Sequence, residues 1–200
     1  MIRLLLLALV AGIGVYLVQR WRRDRREEAL ARARSIFFVV GRERTDTTRP
    51  STGVRAVTAG GGRLRFQVPE SWVDEPAGSG FCARASNARR FRVEMRTLDH
   101  PGASPEAVAE DLRRSPEGRV GLVDALSGDR VLLKHVREGA EDAAVGLTYC
   151  WRLATPRPPD RVLVAEFSFS VPLTAADAIA EDDLDRLERE IREAVFSDPA

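Results

Sequence analysis

Hydrophobic positions fall into two regimes along this chain. From Leu4 to Val18 fifteen residues run without a charge. Taken from Ile2, with Arg3 snorkelling, residues 2–18 predict an apolar helix of roughly 25 Å, the short end of what a bilayer core requires. Tyr16 and Trp21 stand at its far edge, where amphipathic rings prefer the headgroup region. Asp24, Glu27 and Glu28 lie three or four positions from arginines among good helix formers, which predicts that the helix continues through residue 34. The run Ile36-Phe37-Phe38-Val39-Val40 is β-prone and is expected to form an extra strand or a hydrophobic foot on the domain. Residues 41–62, rich in Thr and ending in Gly60-Gly61-Gly62, show little periodicity and read as a flexible linker.

From Leu64 onward the period becomes two. Leu64, Phe66 and Val68 alternate with Arg65 and Gln67, and Phe91, Val93 and Met95 alternate with Arg92, Glu94 and Arg96, as half-buried strands do. A short strand is expected over 81–85, and longer ones over 120–123, 131–137, 147–154 and 162–171. Ser104-Pro105-Glu106 is a helix start, and Val108 and Leu112 give that helix an inward stripe until Ser115-Pro116. Leu184, Leu187, Ile191 and Val195 form the stripe of a closing helix over 182–196 that covers the sheet. Short links favour antiparallel pairing, so the fold class is α+β: an antiparallel β-sheet with flanking helices, preceded by an N-terminal transmembrane helix. The expected organisation is an anchor over 1–18, a basic juxtamembrane helix and apolar strand over 19–40, a linker over 41–62 and a domain over 63–200.

Charge fixes the expected orientation. Arg20, Arg22, Arg23, Arg25, Arg26, Arg32 and Arg34 follow the apolar stretch, and only Arg3 and the α-amine precede it. Positive charge stays in the cytoplasm, so the body is expected on the cytoplasmic side of a bacterial inner membrane, with an extracytoplasmic domain as the alternative. Arg20, Arg22, Arg23, Arg25 and Arg26 also suit anionic lipid. No Ala-x-Ala cleavage site precedes the charges and no cysteine occurs before Cys82, which disfavours a cleaved signal peptide and a lipoprotein. Net charge is +1, which gives no case for a nucleic-acid partner. Of 31 basic residues Lys134 is the one lysine, a coding-style bias that weakens any single arginine as a recognition signal.

Candidate chemistry is sparse. His100, at a strand end, invites a general-base reading, but no nucleophile or orienting partner accompanies it, and a loop histidine is expected. His135, in phase with Val131 and Leu133, is expected to be packed and hydrogen-bonded. Cys82 and Cys150 fall on the polar phase of their strands and are candidate neighbours, free in a cytoplasmic setting. Four such residues scattered over separate strands lack zinc-site spacing, and Ser79 lacks the frame of a nucleophile elbow. No catalytic residue, metal or cofactor is expected. Residues 175–200 carry nine acids against three arginines, read as the solvated face of the last helix.

The stretch Leu64-Arg65-Phe66-Gln67-Val68-Pro69-Glu70-Ser71-Trp72 resembles the opening Phe-x-Val/Tyr-Pro-x-x-Trp of PsbP-like and DcrB-like domains, the Mog/PsbP-like superfamily. With the Ser-Pro-Glu helix, the paired hairpin and the last helix, the resemblance covers about residues 62–197. It implies an α/β/α sandwich used for protein binding without catalysis. The charged face bearing Arg65, Arg92, Glu94, Arg96, Arg152 and Glu166 departs from full helical cover. The expected role is a membrane-anchored protein-binding module, as scaffold, chaperone or assembly factor, acting through that face or a groove beside Trp72 and Trp151. The alternatives are a sensor or enzyme with a pocket near His100 and Trp72, and a membrane-tethered spacer.

Overall fold

The structure, a computed structural model, describes residues 2–39, 53–85, 89–141, 144–173 and 181–197, with side chains of the first helix from Tyr16 onward. That helix, α1 (Ile2–Val39), precedes strands β1 (Val54–Ala59), β2 (Leu64–Pro69), β3 (Val73–Glu75), β4 (Phe81–Ala85) and β5 (Arg89–Asp99). Two helices follow, α2 (Pro105–Arg114) and α3 (Pro116–Val120). Strands β6 (Leu122–Leu126), β7 (Arg130–Glu141), β8 (Ala144–Arg157) and β9 (Arg161–Pro172) lead to α4 (Glu181–Arg192) and a last short strand, β10 (Val195–Phe196).

The strands form a seven-stranded sheet in the order β3-β4-β5-β9-β8-β7-β6 and a three-stranded sheet in the order β1-β2-β10. Every pairing is antiparallel. Alternation along the strands gives the large sheet an apolar inner face, where Phe91, Trp151, Leu153, Phe167 and Phe169 are buried. Phe66 from β2 meets Phe91, Phe81 and Phe167 edge-on, so the small sheet lies over this face, and α4 adds Leu184, Leu187 and Ile191 to the same core. Arg130 ties α4 down by donating to the carbonyls of Arg192 at 2.8 Å and Ala194 at 3.0 Å, groups left open at a helix C-terminus.

The end of α1 belongs to this core. Ala33 and Phe37, four residues apart on one helical face, are buried, and Phe37 is 0% exposed. Its ring meets Tyr149 at 5.3 Å and Trp151 at 4.9 Å, both edge-on, and lies 4.7 Å from the Lys134 ammonium. The expected strand at Ile36–Val40 is therefore helix through Val39, because helical spacing sets Phe37 on the sheet and that burial outweighs β-propensity; Val40 lies outside the described residues. The hydrophobic-foot alternative describes the packing. Among the residues whose side chains are described, from Tyr16 onward, no helix is long and apolar enough to cross a membrane.

The expected linker also needs correction. Val54–Ala59 is a strand with Val57 and Ala59 buried, paired along its whole length with β2. Gly60, Gly61 and Gly62 all have positive φ and form the turn that joins the two strands, a conformation only glycine adopts readily. The sheet thus takes in Val54 onward, and residues 41–52 lie outside the described set. Two further differences are local. Ser115 accepts from the Gly118 amide at 3.0 Å and starts α3, which moves the expected strand at 120–123 to 122–126. The last helix stops at Arg192, and Val195–Phe196 turns back to pair with β2.

Candidate functional site

The outer face of the large sheet is only partly roofed. Val108 and Ala109 of α2 pack on Val131, Ala154, Val162 and Val164, a second small core over one end of the sheet. Ser104 caps α2 as expected, accepting from the Ala107 amide at 3.2 Å. Beyond that end, antiparallel register builds three rows of side chains across the open part. One runs Arg90–Ser170–Thr148–Arg137, the next Cys82–Arg92–Ser168–Cys150–His135, and the third Glu94–Glu166–Arg152. The Thr148 and Ser170 hydroxyls are 3.2 Å apart.

Charge on this surface is unbalanced. On the strands Arg84, Arg90, Arg92, Arg96, Arg137 and Arg152 stand against Glu75, Glu94 and Glu166, and Glu117 of α3 adds one carboxylate near Arg152 and His135. Glu75 lies 3.2 Å from Arg84 and 3.3 Å from Arg90, Glu166 lies 3.5 Å from Arg152, and Glu94 lies 3.3 Å from Arg96. Arg92 and Arg137 are exposed and face no carboxylate in salt-bridge range among the described residues; their neighbours are the Cys82 and Cys150 thiols. Arg65, expected on this face, sits instead on β2 in the other sheet.

The floor of the surface is neutral. Burial pushes the Cys150 thiol up to about 11 and pulls His135 down to about 4. Burial, reinforced by Glu75, also raises the Cys82 thiol. Cys150 and His135 are paired across β7 and β8, yet at neutral pH they form no thiolate–imidazolium pair. His135 is buried as expected, but its Nδ1 has no hydrogen-bond partner among the described residues. Two strands separate Cys82 from Cys150, which puts them roughly 14 Å apart and far beyond disulfide reach. No group of three metal-ligating side chains occurs among the described residues.

The other expected sites disperse. His100 Nε2 is 2.8 Å from Asp111 of α2, on the outer side of the sheet. Trp72 stacks parallel to Phe169 at 5.8 Å and meets Phe91 at 5.4 Å on the inner side. The two lie on opposite faces and about 30 Å apart along β5, so they line no common pocket. Trp151 is fully buried beneath Phe37, which removes the groove proposed beside it. Ser79 is in an exposed turn. On α1, Arg20, Arg22, Arg23 and Arg25 are exposed, Arg26 is half-buried, and the Arg25 guanidinium lies 5.2 Å from the Trp21 ring.

One polar cluster escaped the sequence. Lys134 is buried on the inner face and bonds Glu188 of α4, while Arg192 reaches Glu188 at 2.9 Å and Asp124 at 2.8 Å. Burial lowers the Lys134 pKa, and Glu188 works against that shift. Glu188 and Glu190 are buried, so the acids of α4 are not all on a solvated face. The readable signal was Glu188 in phase with the Leu184–Ile191 stripe, facing the one lysine of an apolar strand.

Solved structures align with this chain only at low similarity. A Bacteroides thetaiotaomicron crystal structure aligns at a TM-score of 0.49 and 14% identity, covering 72% of this chain and 48% of that one. The present chain thus spans about half of that protein. LpqN, involved in cell envelope biogenesis of Mycobacterium tuberculosis, aligns at 0.44 and 14% identity over 72% of this chain and 91% of its own. The cyanobacterial PsbP of Synechocystis aligns at 0.34 and 12% identity over 72% and 93%. At these scores they carry no function to the chain. No protein-family model matches the sequence, and no curated protein matches it.

Proposed function

We propose that the chain is a single-pass protein of a bacterial inner membrane whose non-catalytic α+β domain, on the cytoplasmic side, binds another protein across the open charged sheet face. The reading rests on one observation above others: α1 begins in the uncharged stretch Leu4–Val18 and ends inside the domain core at Phe37. An anchor built this way presents the domain as a rigid body. About fifteen residues separate Val18 from Ala33, which sets the domain roughly 22 Å from the end of the apolar stretch. The arginines just after that stretch favour a cytoplasmic body and contact with anionic lipid. Ala33 and Phe37 dock on the inner face, which leaves the outer face open to a partner. Neutral thiols and a neutral imidazole on that face suit contact rather than nucleophilic chemistry.

The test is photo-crosslinking in intact cells, with a benzophenone amino acid at Arg92 or Ser168 and, as control, at the exposed turn residue Asp129. A discrete protein adduct from the first two positions and none from Asp129 is expected. Equal adducts from all three, or none, defeat the reading. Protease treatment of spheroplasts checks orientation: a cytoplasmic domain stays intact until the membrane is lysed.

A further inference from the structure

We infer that the open outer face is an acidic-segment receptor, with Arg92 and Arg137 as its two carboxylate-binding ends and the Ser168 and Ser170 hydroxyls as the hydrogen-bonding floor between them. The inference rests on the protein-binding reading above and adds the chemistry of the partner.

Charge complementarity carries it. Most arginines on this face already have a glutamate within 4 Å, whereas Arg92 and Arg137 are exposed and have none among the described residues. A guanidinium offers a planar fork of donors matched to a carboxylate, and a charge-assisted pair of that kind is stronger than a neutral hydrogen bond. The register places Arg92 on β5 and Arg137 on β7, three strand spacings and one row apart, or roughly 16 Å. An extended chain covers about that distance in four to five residues, so the face selects two acidic positions spaced by four rather than a dense acidic run. Ser168 lies on the row of Arg92 and Ser170 on the row of Arg137, both half-buried, where they meet the backbone of a segment crossing the strands. Glu94 and Glu166, one row away, repel a uniformly anionic surface, which favours a patterned peptide over lipid headgroups.

The experiment uses the full chain in detergent micelles and two eight-residue Gly/Ser peptides of equal charge. One carries glutamate pairs at positions 2–3 and 6–7, the other four consecutive glutamates. Binding is read from the NMR signals of the arginine Nε–H groups. The spaced peptide is expected to shift Arg92 and Arg137 and to bind at least about threefold tighter than the clustered one. Reversal at both sites, Arg92→Glu with Arg137→Glu, is expected to weaken it by more than about tenfold, whereas Arg65→Glu on the other sheet changes it less than about twofold. The neutral pair Arg92→Gln with Arg137→Gln gives the same loss without new charge and keeps the test valid where the reversal unfolds the domain. Binding that survives both double variants overturns the inference, and so does equal binding of the two peptides. Quenching of a fluorophore at Glu94 by spin-labelled phosphatidylglycerol in nanodiscs overturns it in favour of a membrane-facing surface. A crosslinked partner in cells with no peptide response at the two arginines removes the acidic-segment assignment and leaves protein binding standing; absence of both removes both.

Discussion

Replacing Phe37 with alanine separates a helix that merely tethers from one that completes the fold. Phe37 is 0% exposed, and its ring is bracketed by Tyr149, Trp151 and the Lys134 ammonium. Truncating a buried phenylalanine costs about 3–5 kcal/mol in transfer and cavity energy. Loss of the ammonium–ring contact adds about 0.5–2 kcal/mol at a desolvated site, which sets the expectation at the upper half of the first range. Domains are commonly stable by about 5–15 kcal/mol, so Phe37→Ala forfeits about a quarter or more of that stability. With a urea m-value of about 2 kcal/mol/M, the midpoint falls by about 2 M. The assay is urea denaturation of the full chain in micelles, followed by tryptophan emission, because Trp151 lies 4.9 Å from Phe37 and reports its removal directly. Glu28→Ala, at an exposed position on the same helix, serves as the reference. A Phe37→Ala unfolding free energy within about 0.5 kcal/mol of that reference would falsify the reasoning, since exposed substitutions usually change stability by no more than that.

Two further outcomes follow from the outer face. Burial holds His135 at about 4 against an ordinary 6.5, so between those values the unfolded chain binds a proton that the folded chain refuses. Stability on this account is constant above pH 6.5, falls as pH drops toward about 4, and loses roughly 3 kcal/mol across that window. His135→Leu is expected to flatten that part of a stability–pH profile measured by denaturant titration; an unchanged slope assigns the acid sensitivity elsewhere, with Glu117, Glu166, Arg137 and Arg152 the charged groups around the ring. For the thiols, both buried and both with raised pKa values, maleimide is expected to label Cys82 and Cys150 only after denaturant is added, and mild oxidant to leave the folded chain without an internal disulfide. Rapid labelling of the folded protein, or a mobility shift on a non-reducing gel, contradicts that arrangement.

Much of the fold was legible because alternation survives in a single strand. Leu64-Phe66-Val68 and Phe91-Val93-Met95 state their own faces, and Ser104-Pro105-Glu106 states a helix start, each from local chemistry alone. The misreadings came where local preference and tertiary burial disagree. Phe37 and Phe38 favour strand by type, yet the site they reach lies across the sheet and is met only at helical spacing. The outer surface was half legible: Arg92, Glu94, Arg152 and Glu166 were placed on one face by period, but their neighbours depend on strand order. Insertion of β9 between β5 and β8 is a long-range choice with no local signature, and it is what parts the two cysteines and sets Ser168 between Arg92 and Cys150. A shared pocket for His100 and Trp72 fails for the same reason, since period alone assigns neither residue to a layer.

Lys134 sits fully enclosed, its ammonium committed to Glu188, and it is the one lysine in the sequence. The folded domain therefore offers no side-chain amine to its surroundings. Succinimidyl esters find no lysine to acylate on the folded domain, and enzymes that acetylate or ubiquitinate lysine find no substrate until the sheet opens. Any such mark detected on Lys134 is a record of unfolding.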